Sequence, residues 1–195
     1  LGYIMLACRD ACPARRTRKK IQIQLPVNMR KFYPSSTLRN FSMYCCIRLH
    51  PDEITGLDNI LPRISEQVKA GTAKEPLDQT MQLSRKLVRY LRFVPLIIKR
   101  PIAYFIYGAL SDAVFTTTFS NLGAIDASPE MRAQVDKFDF VLGPPIQNRA
   151  CCSLCSFGDR AVFTVTKNTQ LTLFEDALYR YFCENGLEPY VEGSR

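Results

Sequence analysis

The chain of 195 residues has no tryptophan and one histidine, His50. That single imidazole, in the context His50-Pro-Asp-Glu53, leaves no Ser/His/Asp set with a histidine to spare and belongs to a strand-to-helix loop. Phosphate-cradling loops and the dinucleotide glycine fingerprint are missing as well, so nucleotide chemistry of those kinds is excluded. No run reaches the roughly 18 uninterrupted apolar residues that a membrane helix needs. The nearest, Val94–Leu110, is broken by Lys99, Arg100 and Pro101, and a soluble chain without a membrane span is expected. Met5-Leu-Ala-Cys8 faintly resembles a lipoprotein cleavage box, but no basic region precedes it and the apolar run is too short for a signal peptide. Internal repeats and an obvious linker are absent too, which suits one domain or one lobe of a larger protein.

Hydrophobic residues make up 47% of the chain and charged ones 23%, enough apolar material for a core. The net charge of +8 favours anionic partners, and much of the excess lies in Arg15-Arg16-Thr17-Arg18-Lys19-Lys20. That cluster has no interleaved aromatics, so it reads as a solvated basic loop and not as a nucleic-acid interface. A phosphate-rich coenzyme would also suit a basic lobe. Eight cysteines are present, yet the chain is too long and apolar to need disulfide staples. Cys152 and Cys155 form a CxxC, but on a strand they fall on opposite faces, and Cys8-x-x-x-Cys12 reads as helix. No metal site is expected; reduced, buried thiols in a cytoplasmic protein are.

Residues 1–20 read as a helix, Leu1–Cys12, stopped by Pro13 and followed by the basic loop; residues 21–195 read as a sheet-and-helix lobe. Ile21–Leu25 alternates apolar and polar as a half-buried strand does, with Pro26 marking an edge or its end. Phe41–Leu49 is a second strand. Helices are expected over Asp58–Lys69, Leu77–Phe93 and Ile102–Leu110. In the second of these, Arg85, Lys86, Arg89 and Arg92 lie opposite the apolar residues; such helices can bind membranes, but in a globular chain they usually divide a core face from a solvated one. Ala113–Phe119 is a strand running into Ser120-Asn121, with Gly123 freeing the chain to turn away. Ser128-Pro-Glu-Met131 starts a short helix. Phe138–Leu142 and Leu187–Val191 read as strands, Ala150–Phe157 and Arg160–Thr166 as a hairpin across Gly158-Asp159, and Thr172–Asn185 as a helix capped by Gly186. The fold class is therefore α/β, a mixed sheet with helices mainly on one face.

Phe115-Thr-Thr-Thr-Phe-Ser-Asn-Leu-Gly123 presents a hydroxyl and an amide where a strand ends, groups that can donate hydrogen bonds to an oxyanion. On pattern alone it is a strand end with ordinary turn chemistry. The segment nevertheless resembles the strand of the chloramphenicol acetyltransferase-like superfamily that supplies an oxyanion-stabilising serine. Leu25-Pro-Val-Asn-Met-Arg30 and Thr37-Leu-Arg-Asn-Phe41 extend the likeness, in the right order, to the C-terminal half of bacterial alcohol acetyltransferase-like proteins, from about residue 20 to the end. The chain starts at Leu1 and not at methionine, which fits a fragment or processed product.

The resemblance implies one lobe of a coenzyme A-dependent acyltransferase, with acyl-coenzyme A as cosubstrate, no tightly bound cofactor, and a small alcohol or amine as acceptor. Ser120 would hydrogen-bond the tetrahedral oxyanion with Asn121 beside it. Arg30 would pair with the aspartate of a His-His-x-x-x-Asp motif, and Asn40 would line the acceptor channel. Without the resemblance Arg30 is a surface arginine after a strand and Asn40 a turn amide. The motif itself is absent, so the lobe alone is expected to be inactive and to expose a face that a missing N-terminal lobe would cover, with self-association or poor solubility as the result. The rival reading is a non-catalytic remnant or interaction protein with the same fold.

Overall fold

A computed structural model describes residues 1–11, 20–114, 116–144 and 150–193, with only the backbone of 106–114. Among these residues five strands form one sheet: β1 (Ile21–Asn28), β2 (Ser42–Leu49), β3 (Thr117–Ala124), β4 (Ala150–Phe157) and β5 (Arg160–Lys167), in the order β2-β1-β3-β4-β5. The outer pairs β1–β2 and β4–β5 are antiparallel, and the inner pairs β1–β3 and β3–β4 are parallel. The sheet is mixed, as expected. The six helices are α1 (Gly2–Ala11), α2 (Leu57–Gly71), α3 (Lys74–Leu91), α4 (Leu96–Val114), α5 (Pro129–Arg132) and α6 (Leu173–Glu184).

Alternation along the strands decides where the core sits. Ile21 and Ile23 of β1, Ile47 and Leu49 of β2, Phe119 of β3 and Cys152 of β4 point to one face, where they bury Ile4 and Met5 of α1 and Ile60 and Ile64 of α2. Phe174 and Tyr181 of α6 complete that layer beside Phe163 and Val165 of β5. Gln24, Thr118, Ser120 and Ser153 alternate to the other face. Part of that second face is covered by residues 138–142, which do not form the expected strand. The reason lies in β4: the Ser153 hydroxyl donates to the Phe140 carbonyl (2.5 Å), the Cys155 thiol donates to the Phe138 carbonyl (3.2 Å), and the Phe138 ring meets Phe157 edge-on at 4.9 Å. Side chains occupy the carbonyls that a strand would offer to a neighbour.

Other expectations are corrected. Ala113 and Val114 end α4, so β3 begins at Thr117; Phe115 lies outside the described residues. The strand continues through Ser120, so this serine is inside β3 and not at its end. An extra residue is absorbed between Asn121 and Gly123, where the Gly123 amide donates to Asn121 Oδ1 (2.8 Å) and Gly123 takes a φ of 75°. β1 passes through Pro26 to Asn28, and α2 and α4 run on through Pro62 and Pro101. Residues 187–191 are irregular; the Leu187 amide folds back onto the Phe182 carbonyl after Gly186 at φ 76°. Cys12 and the cluster Arg15–Lys19 lie outside the described residues.

Candidate functional site

Pro26 opens the site. The Gln22 carbonyl accepts from the Thr116 amide (2.8 Å), so every second residue of β1, namely Gln22, Gln24 and Pro26, aims its backbone groups at β3. Pro26 has no N–H to offer. Pairing between the parallel strands accordingly stops at Gln24–Thr118, while β1 stays paired to β2 as far as Asn28–Ser42. Beyond that point a crevice of about 340 Å³ opens at the carboxyl ends of β1 and β3. This is where open sheets with parallel strands commonly bind ligands.

All four residues singled out in the sequence line this crevice: Arg30, Asn40, Ser120 and Asn121. Each is held by a local device. The Asn28 side chain accepts from the Arg30 amide (3.0 Å), capping a single 3-10 turn, Met29–Lys31. Met29 is buried beneath it and bonds the Phe41 carbonyl, which turns Arg30 outward. The Arg30 guanidinium donates to the carbonyls of Thr37 (2.5 Å) and Arg39 (3.1 Å) and sits 6.0 Å over the Phe41 ring. No carboxylate among the described residues pairs with it. Asn40 Oδ1 accepts from the Ser42 hydroxyl (2.7 Å).

Ser120 is half-buried on the face opposite Phe119. Its neighbours are engaged: Thr117 bonds the Ala150 carbonyl (2.7 Å), Thr118 bonds Gln24 (3.1 Å), and Ser153, in register with Ser120, bonds Phe140. Among the described residues the Ser120 hydroxyl has no hydrogen-bond partner and is free to donate into the crevice. Asn121 spends its carbonyl oxygen on the Gly123 amide, leaving its NH₂ available.

With Arg30 and Arg39 at the rim and no acidic residue in the lining, the crevice favours an anion. Sequence reasoning missed Arg39 and the part played by Pro26; a proline directly after an alternating run was the one signal for the latter. The start of α3 is tied to this region, as the Tyr33 hydroxyl donates to Asp78 (2.8 Å), and that bond raises the Tyr33 pKa.

His50 is elsewhere. It follows the far end of β2, eight residues from the crevice-lining Ser42, or about 25 Å along a strand. Its amide donates to Glu53 (2.8 Å), which also pairs with Arg63, and its Nδ1 lies 3.0 Å from Asp52. The imidazole belongs to a loop cap and has no reach into the crevice.

Cys152 and Cys155 do occupy opposite faces, the former against Thr117 in the core and the latter against Phe138. Burial pushes the Cys152 thiol up to about 12 and also raises Cys45, Cys46 and Cys151. Among the described residues no three His, Cys, Asp or Glu side chains gather as a metal ion would require. Likewise, no helix is long and apolar enough to cross a membrane.

The fold and the crevice define an α/β protein with an anion-favouring cleft at a switch between antiparallel and parallel pairing. No protein-family model matches the chain, and a search of curated proteins finds no match.

Proposed function

We propose that the chain is the C-terminal lobe of a coenzyme A-dependent acyltransferase acting on an alcohol or amine in the cytoplasm. The observation that carries this reading is the meeting of Arg30, Asn40, Ser120 and Asn121 in one crevice, from segments more than 75 residues apart in the chain. Ser120 donates its free hydroxyl to the oxyanion formed as the acceptor attacks the thioester carbonyl. A lobe encoded upstream supplies the His-His-x-x-x-Asp motif. Its histidine takes the acceptor proton and returns it to the departing coenzyme A thiolate, so the acyl group passes without a covalent enzyme intermediate. Arg30, with no carboxylate partner among the described residues, pairs with the motif aspartate across the lobe interface. Arg39, the other arginine at the rim, suits a phosphate of the cosubstrate.

The test is acyl transfer by the protein joined to its upstream-encoded segment, followed as thiol release from acetyl-coenzyme A that depends on an added alcohol. The joined protein is expected to turn over, the chain by itself to stay at the blank, and Ser120→Ala to lower kcat by on the order of 10²–10³. An upstream segment without the motif, or full activity in Ser120→Ala, overturns the reading. The position of His50 favours a second reading, an interaction protein that keeps the fold without the reaction. An inactive joined protein would select it.

A further inference from the structure

The helix pair α3–α4 carries a feature that the crevice does not use. Leu83, Leu87, Tyr90 and Leu91 share one face of α3, with Arg85, Arg89 and Arg92 opposite. A core face is the ordinary destiny of such a stripe, but in α3 only Leu77, near the start, is buried. From residue 82 to residue 105 no side chain is buried at all. In α4, Leu96, Ile97, Ile102, Tyr104 and Phe105 are exposed on every side of the helix, and Phe93 between the helices is 83% exposed. Apolar surface this extensive marks a partner.

Charge says which partner. Residues 79–111 contain Arg85, Lys86, Arg89, Arg92, Lys99 and Arg100 and no Asp or Glu. A second copy would set six cations against six. A single protein groove would cover one face, yet the apolar side chains of α4 between Leu96 and Phe105 are exposed on every side of the helix, with Lys99 and Arg100 among them. An interface of anionic phospholipid satisfies both features. Acyl chains surround the apolar residues, long basic side chains snorkel to the phosphates, and aromatic rings sit at the boundary.

We propose that α3 and α4 form an arm that docks on the anionic phospholipid surface of a membrane, lying in the interface without spanning it. The proposal does not rest on the acyltransferase reading, and it gives the arm to the membrane and not to the missing lobe that reading expects.

It is tested by co-sedimentation of the full chain with phosphatidylcholine vesicles, with and without phosphatidylglycerol. Sedimentation is expected with the anionic vesicles alone, and it should weaken as salt is raised. Arg85→Gln with Arg89→Gln should lower the partition coefficient by roughly 30-fold, from about fivefold per cation removed. Leu87→Glu with Ile97→Glu should abolish binding while the far-ultraviolet spectrum keeps the folded shape, since both side chains are exposed. Neutralising Arg15–Lys20 should leave binding that Leu87→Glu still abolishes. Failure to bind anionic vesicles overturns the proposal, whether the chain stays monomeric, dimerises through the arm or joins an acidic protein. Binding indifferent to the arm substitutions overturns it equally.

Discussion

The sheet with its helical layer and the α3–α4 arm are built from similar amounts of leucine and isoleucine, but they put them to opposite uses. In the body, Ile4, Ile23, Ile47 and Ile60 are at most 1% exposed, and the apolar residues on the core face of the sheet lie against helices. In the arm, Leu87 is 60% and Ile97 86% exposed, and the helices hold together by their own backbone bonds. Apolar periodicity therefore specifies a helix and its apolar side without specifying what lies against that side. In the body the answer is inside the chain; in the arm it must come from outside.

The sharpest test of that difference is amide hydrogen exchange. Amides of the last turns of α3 and of α4 open by local fraying, whereas those of β1 and β3 open only with the whole body. The arm should exchange on the order of 10³-fold faster or more. Equal protection would show that the arm is packed in solution. Next comes truncation. Ile23→Ala should cost about 3 kcal/mol in urea unfolding and Leu87→Ala less than about 0.5 kcal/mol. Comparable losses would erase the distinction.

Within the body, Gly123→Ala is expected to cost about 1–2 kcal/mol. The space around Gly123 is open, so the cost is purely that of a side chain at positive φ. An unchanged unfolding midpoint would refute the bulge geometry that positions Asn121. The smallest effect concerns the join of α1 to α6. There Asp10 accepts from the Tyr181 hydroxyl (2.6 Å) and from Arg180 (2.7 Å) and pairs with Arg9 (2.8 Å). Burial opposes its ionisation, but the bonds from Tyr181 and Arg9 prevail and hold the carboxyl below its ordinary pKa. Because the folded value is the lower one, this stabilisation is complete above the ordinary carboxylate range and disappears as pH falls through the lowered value. Asp10→Asn should remove about 1 kcal/mol at neutral pH and flatten the acid limb of the stability curve; an unaltered limb would place the acid sensitivity elsewhere.

Much of the body can be read from residue order. Alternation identifies β1, β2 and the β4–β5 hairpin, and Gly158 at φ 58° occupies the turn read between Phe157 and Arg160. Misreadings cluster where a non-local contact outvotes local pattern. Phe138–Leu142 alternates like a strand but has its Phe138 and Phe140 carbonyls taken by side chains of β4. Ser120-Asn121 has the chemistry of a strand end, yet β4 continues alongside and draws β3 onward through a bulge. Pro101 reads as a helix stop, but near the start of α4 it costs a single backbone bond, that to Ile97. For the site, local pattern alone reads Ser120, Arg30 and Asn40 as ordinary turn and surface residues, and only the expected resemblance singled them out. That Arg30 and Ser120 face one crevice depends on strand order and on a missing N–H, and neither is visible in either segment by itself.

The thin join between β1 and β3 has a consequence for how the chain folds. Each outer hairpin can form early from nearby segments, but among the described residues the two halves of the sheet pair only at Ile23–Thr117 and Gln24–Thr118, with Gln22 and Thr116 bonded across 94 residues of chain. Closing so long a loop for so few backbone bonds has a large entropic barrier, so the union of the halves belongs late in folding and sets its pace. The arm lies within that loop. Until the loop closes, its bare apolar turns travel with an unfinished sheet whose β1 and β3 edges are open, and it is in this interval, before the native state exists, that the chain is most exposed to aggregation.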